Sequence, residues 1–174
     1  IKKYPKLIEI GSKRDETLIG HARFAGKNPK FDGIPHEGHY TQEEIKEIIE
    51  YAEERYVEVI PEIDMPGHTA SLIASYPELG TSKEKINVKK IWGVQDDILI
   101  PNENTFNFLE NIISEVVTLF PSEYIHIGGD EARKKQWIES DEVQGIMRDL
   151  EIHDEDSLQT YFISRVQKII SKFD

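Results

Sequence analysis

Two short β-rich runs, each entered from an amphipathic helix and each with acidic side chains at or just beyond its end, restrict this chain to an α/β architecture. The first covers residues 57–64, Val-Glu-Val-Ile-Pro-Glu-Ile-Asp; the second is Tyr124-Ile125-His126-Ile127, behind the turn signal Pro121-Ser122. Strands that alternate with helices predict a parallel sheet with right-handed crossovers. In such sheets, functional groups gather just beyond the C-terminal ends of the strands.

The second run ends in Gly128-Gly129-Asp130-Glu131. The glycines remove side chains where the backbone bends or a neighbour approaches closely. The two acids then emerge side by side; extended geometry points them to opposite faces, where different surroundings can separate an acid role from a base role. A plain turn, with Glu131 opening the next helix near its dipole, is the alternative. In the first run, alternation sets Glu58, Ile60, Glu62 and Asp64 on one face and Val57, Val59, Pro61 and Ile63 on the other. Met65-Pro66-Gly67-His68 is a tight turn that presents a histidine four residues after Asp64, and histidine titrates near neutrality.

The helices are legible from caps and spacing. Thr41-Gln42-Glu43-Glu44 is a capping box, followed by Ile45, Ile48, Ile49 and Ala52 at helical intervals, and this helix should end near Arg55. Residues 69–76 predict a short helix. A second amphipathic helix should start at Asn104 or Thr105, bury Leu109, Ile112, Ile113, Val116 and Phe120, and stop at Pro121. Two more follow, over residues 140–150 and from a cap at residues 154–157 onward. Residues 1–40 and 81–103 read as long connections. Trp92 in the second is either a sugar-stacking platform or a loop anchor, and anchoring is the expected role; Trp137 is expected to be packing. His36 and His39 have no third ligand near them for a metal site.

Bulk properties narrow the function. The 174 residues suffice for one domain with a sizeable core, and 38% hydrophobic with 31% charged residues describes a water-soluble composition. A net charge of −12 argues against non-specific nucleic-acid binding and against docking on anionic lipid, but not against neutral sugars. With no cysteine there is no disulfide or thiolate metal site. No apolar run approaches a membrane span, and Ile1-Lys2-Lys3-Tyr4 reads as the middle of a protein.

Taken together, Pro61-Glu62-Ile63-Asp64-Met65-Pro66-Gly67-His68 and, some sixty residues on, His126-Ile127-Gly128-Gly129-Asp130-Glu131 resemble family 20 glycoside hydrolases, the β-N-acetylhexosaminidases. Tyr4 to Gly11, Gly38-His39-Tyr40-Thr41 and Ile100 to Phe106 are similar to that family as well, so the resemblance covers essentially the whole chain. It implies an α/β fold, part of a (β/α)8 barrel of ~250 residues. Residues 1–174 would hold about the third and fourth strand–helix units of a single catalytic domain, with the first two strands and the last four units outside.

The resemblance also implies hydrolysis of terminal β-linked N-acetylglucosamine or N-acetylgalactosamine (chitooligosaccharides and similar glycans) by substrate-assisted, retaining chemistry. Glu131 would be the general acid and then the base, Asp130 would hold the acetamido group, and His68 would hydrogen-bond near the glutamate. Glu62 and Asp64 would order the strand end. A proton donor must be neutral at working pH, so Glu131 should occupy a less polar place than Asp130. No cofactor or metal is implied. The arginine that grips the sugar and the tryptophans that enclose its acetamido group would lie outside this chain. Alone, the chain should therefore be almost inactive, and its open strand edges should invite self-association. A secreted or periplasmic parent fits the resemblance, while the sequence leaves the compartment open. Two other readings are a non-catalytic carbohydrate-binding or assembly module, and a metal enzyme with Asp64, His68 and Asp130 as ligands.

Overall fold

In a computed structural model that describes residues 1–82 and 85–173, the two β-rich runs lie side by side and parallel, with Glu62 opposite His126. His126 N–H donates to the Pro61 carbonyl (2.9 Å) and Ile63 N–H to the His126 carbonyl (2.9 Å). Met65 N–H then reaches the Ile127 carbonyl (3.1 Å), so one run advances two residues while its partner advances one. That bulge ends the pairing and starts the turn that carries the acids. The paired stretch is shorter than the expected strands: Pro61 has no N–H to give, and neither outer edge has a partner strand among the described residues.

The remaining elements are α1 (Lys6–Glu9), the two-residue antiparallel strands β1 (Lys13–Arg14) and β2 (His36–Glu37), α2 (Gln42–Glu53), α3 (Ala70–Ser75), α4 (Glu103–Leu119), α5 (Lys135–Glu139), α6 (Asp141–Asp149) and α7 (Glu155–Ile170). Each long helix starts at a side-chain cap. Thr41 and Glu44 form the expected reciprocal box at α2. Ser140 accepts from Val143 N–H, and Asp154 accepts from Ser157 N–H (2.7 Å). Helix α4 begins slightly earlier than its apolar spacing suggests, because Asn102 takes the cap and accepts from Thr105 N–H (3.0 Å).

Helices α4 and α7 pack together on one face of the parallel pair. Phe106, Leu109 and Ile113 of α4 meet Phe162 and Val166 of α7, and Ile63, Ile125 and Ile127 lie against this core. Arg165 clamps the pair from outside, with both guanidinium ends on the Glu103 carboxylate (2.7 and 2.8 Å), and holds that carboxyl below its usual range. A second cluster, Ile98, Ile100, Trp137, Val143, Met147 and Leu158, joins the long connection to α5, α6 and α7.

The expected alternation holds over residues 59–63: Pro61 is buried and Val59 and Ile63 half-buried, whereas Ile60 and Glu62 are exposed, as are Tyr124 and His126 in the partner run. Val57, ahead of the paired stretch, is exposed although it belongs to the covered face by spacing. The exposed face is the one that, in a (β/α)8 barrel, looks toward the barrel axis, while the covered face looks toward the helices. No helix of the described residues is long and apolar enough to cross a membrane.

Candidate active site

The turn after the second run is built around Gly128. Its backbone has φ +64°, and a Cβ there would sit 1.8 Å from Asp64 Oδ1 and 2.9 Å from the Asp64 Cα. Only glycine permits both the conformation and the approach. The Asp64 carboxylate thereby lies across the turn and accepts the Gly129 N–H at 3.1 Å. Gly129 continues with φ +109° and Glu131 with φ +50°. Asp130 and Glu131 are therefore not in an extended segment, and the expectation that they point to opposite faces fails for that reason. They converge instead on the same histidine.

That histidine is His68, also left-handed at φ +55°. Its Nε2 lies 3.4 Å from Glu131 Oε2 and 3.9 Å from Asp64 Oδ2. Single ligand atoms of Asp64, His68 and Asp130 all fall within 4.8 Å of one another. The four side chains named in the sequence motifs thus meet at one rim, beyond the ends of both parallel runs. The Glu131 side chain is 55% exposed, so the described residues do not supply the less polar place expected for a proton donor.

The turn that offers His68 is held from behind. Thr69 Oγ1 and Leu99 N–H both donate to the Pro66 carbonyl (3.1 and 3.0 Å). The Leu99 carbonyl in turn accepts from Trp137 Nε1 (2.9 Å), and that ring is fully buried. Trp137 is packing, as expected, and also an anchor for this chain of bonds. Gly67 closes on Ala132, where a Cβ would meet the Ala132 Cα at 3.1 Å. From α7, Gln159 Nε2 donates to the Gly129 carbonyl at 2.6 Å and braces the glycine turn. Gln159 was missed in the sequence. It sits among polar residues of an amphipathic helix, and nothing in helical spacing marks one of them as a tether.

Glu62 stands apart from this group, beside His126 (Oε1 to Nδ1, 3.2 Å). The same Nδ1 lies 3.2 Å from the Gly128 nitrogen. A nitrogen that accepts the Gly128 N–H cannot at the same time donate to Glu62. His36 and His39 join no three-residue ligand group among the described residues. The expected anchoring role of Trp92 is contradicted: the ring is 76% exposed and touches only His21 among the aromatic side chains (5.2 Å between ring centres). Its loop is fastened by other residues, chiefly Lys89 on the buried Asp97 and Arg133 on Asp96 (3.1 Å).

Acids and a histidine gathered where two parallel runs end are placed as functional groups are on the strand-end rim of α/β barrels. The model of the glycosyl hydrolase family 20 catalytic domain matches residues 1–174, and the chain belongs to that family. It is 40% identical over 173 residues to a β-hexosaminidase of Porphyromonas gingivalis, covering 99% of this chain and 20% of that protein. A crystal structure of a β-N-acetylhexosaminidase superposes with TM-score 0.88 at 33% identity, over 99% of this chain and 34% of the other. An exo-β-N-acetylglucosaminidase from Vibrio harveyi, solved in complex with N-acetylglucosamine, superposes with TM-score 0.77 at 31% identity, over 99% of this chain and 26% of the other. The chain thus spans a fifth to a third of the length of these relatives, and its fold is part of a (β/α)8 barrel.

Proposed function

We propose that the protein containing this chain hydrolyses terminal β-linked N-acetylhexosamine from glycans such as chitooligosaccharides. The observation that carries this reading is the convergence of Glu131, Asp130 and Asp64 on His68, in a chain that belongs to glycosyl hydrolase family 20.

Glu131 gives its proton to the glycosidic oxygen as the bond from the anomeric carbon breaks. The acetamido oxygen of the same sugar forms the new bond to that carbon, and the leaving group departs as an alcohol. Water, deprotonated by Glu131, then opens the oxazolinium intermediate and restores the configuration. Asp130 accepts the acetamido N–H and faces the positive charge that develops. His68 holds the Glu131 carboxyl; Asp64 fixes His68 and the Gly129 turn together. Glu62 has a supporting place through His126. The test compares an aryl N-acetylglucosaminide with the matching glucoside, using protein with the complete barrel. The acetamido sugar should be cleaved and the glucoside left almost untouched; equal rates would refute the substrate-assisted step. Sugar binding without turnover of either would favour the non-catalytic module.

The grouping of Asp64, His68 and Asp130 favours a second reading, a metal-dependent hydrolase. His68 Nε2 and Asp64 Oδ2 are 3.9 Å apart, wider than the roughly 3.3 Å between ligand atoms at ~2.0–2.1 Å from a tetrahedral zinc. Turnover that survives exhaustive chelation excludes it. The 174 residues alone, with Ile60 and Tyr124 exposed on the axis-facing side, should self-associate and show little activity. A monomer by light scattering would contradict the first expectation, and full turnover the second.

A further inference from the structure

Away from the acids, two loops place exposed aromatic rings side by side. The first, residues 17–32, is closed at its base by the Leu18–Phe31 bridge, by Ile19 N–H on the Lys30 carbonyl (2.8 Å) and by Asp32 N–H on the Thr17 carbonyl (3.0 Å). Its tip carries His21 and Phe24. The His21 Nδ1 accepts the Arg23 N–H (3.1 Å), which fixes the imidazole between two rings: Phe24 at 5.6 Å and Trp92 at 5.2 Å. Phe24 is 81% exposed and Trp92 76%. Rings this open, gathered around one imidazole, make a contiguous patch of the kind that marks a binding surface.

The second loop carries Trp92 and is held from three sides. Lys90 pairs with Asp15 and Glu16, and its carbonyl accepts the Leu18 N–H (3.0 Å). Lys89 pairs with the buried Asp97, and Arg133 reaches Asp96. Beside Trp92 runs a groove of about 460 Å³, with Phe31, Ile86 and Ile91 as apolar wall, Asn87 and Gln95 as neutral polar groups, and Lys89 and Lys90 whose charges are already paired with the carboxylates named above. That mixture and size suit a small-molecule segment rather than a protein face.

Position names the occupant. The Trp92 loop runs from the first parallel run toward α4, on the rim that carries His68 and Glu131, and the His21–Trp92 contact brings the tip of the first loop to the same place. Four residues, at most about 14 Å of chain, separate Trp92 from Asp96, which touches Arg133, two residues beyond Glu131. We propose that His21, Phe24 and Trp92, with the Phe31–Ile91 groove, bind the sugar rings of the leaving glycan, several residues beyond the one that is cleaved. The inference rests on the glycosidase reading above. Pyranose rings present apolar C–H faces to aromatic planes and hydroxyls to Asn87 and Gln95, and need no charge.

The test uses protein with the complete barrel and two substrates, an aryl N-acetylglucosaminide and chitotetraose. Trp92→Ala and Phe24→Ala should each lower kcat/KM for chitotetraose roughly three- to tenfold and leave the aryl substrate within about twofold. Trp92→Tyr should restore most of the loss. Equal losses on both substrates, or no loss on chitotetraose, would overturn the proposal. If the unaltered protein cleaves neither substrate, the glycosidase reading fails by itself. Calorimetric titration with chitotetraose then decides the surface: binding weakened by Trp92→Ala upholds it, and absent or unaltered binding overturns it.

Discussion

Replacing Gly128 by alanine tests the geometry of the turn, and Gly33 provides the reference. Both have φ +64°, but a Cβ on Gly33 meets nothing within 4 Å, whereas on Gly128 it overlaps Asp64. The shared left-handed backbone costs roughly 1–2 kcal/mol for a non-glycine residue, offset by ~0.4–1 kcal/mol of lost unfolded-state entropy. Gly33→Ala should therefore destabilise by about 1 kcal/mol or less. Gly128→Ala adds the overlap, about 1–3 kcal/mol, and the displaced Asp64–Gly129 hydrogen bond, about 1.5 kcal/mol at the low end for a partly exposed carboxylate. A total of about 3–5 kcal/mol is a large share of the ~5–15 kcal/mol that holds a domain together. Urea unfolding of both variants gives the difference, and the pair Asp64→Ala/Gly128→Ala gives the coupling. With Asp64 shortened, the Gly128 penalty should fall but stay above that of Gly33, because the approach to the Asp64 Cα at 2.9 Å remains. Equal destabilisation by the two alanines, or additivity in the double variant, would refute the packing of Asp64 across the turn.

Three further outcomes follow from the supports of the site. Trp137→Phe removes the indole donor and strands the buried Leu99 carbonyl, so it should cost about 1–3 kcal/mol in denaturant unfolding, with the His68 turn loosened through Pro66. Gln159→Ala frees the Gly129 carbonyl and should lower stability by only about 0.5–1.5 kcal/mol while reducing kcat, because it braces the turn and not the core; unchanged kinetics would remove its positioning role. Asp154 is held below the usual carboxylate range by the N–H and hydroxyl of Ser157. Its folded-state value being depressed, it contributes stability above the unfolded pKa of about 3.9 and loses it as pH falls through the folded value. Asp154→Asn, which can still cap, should flatten that acid limb in urea titrations at different pH.

What the sequence revealed depends on how local each cause was. Thr41 and Glu44 announce α2 because a capping box needs only neighbours three residues apart. The division of residues 57–64 between two faces follows from strand periodicity alone, and the structure shows Pro61 and Ile63 on the covered one. The parallel pairing was legible from element order. Glu131 was not: a left-handed non-glycine residue has no signature in its identity, so the two acids were expected on opposite faces and instead meet at His68. Gln159 and the Trp137–Leu99–Pro66 chain of bonds join residues far apart in sequence, beyond the reach of any spacing rule. Trp92 failed as an anchor because Lys89, Lys90 and Arg133 fasten its loop by charge, leaving the ring free.

The most direct measurement is the turnover number of Glu131→Gln, in protein with the complete barrel, on an N-acetylglucosaminide with a poor leaving group. An aglycone that must be protonated exposes the loss of the acid fully. General acid–base catalysis contributes ~10²–10⁴-fold. A fall in kcat of at least about a hundredfold, with folding intact, is the predicted result. Turnover within a few fold of the unaltered protein would contradict the assignment of Glu131, and with it the account of the site.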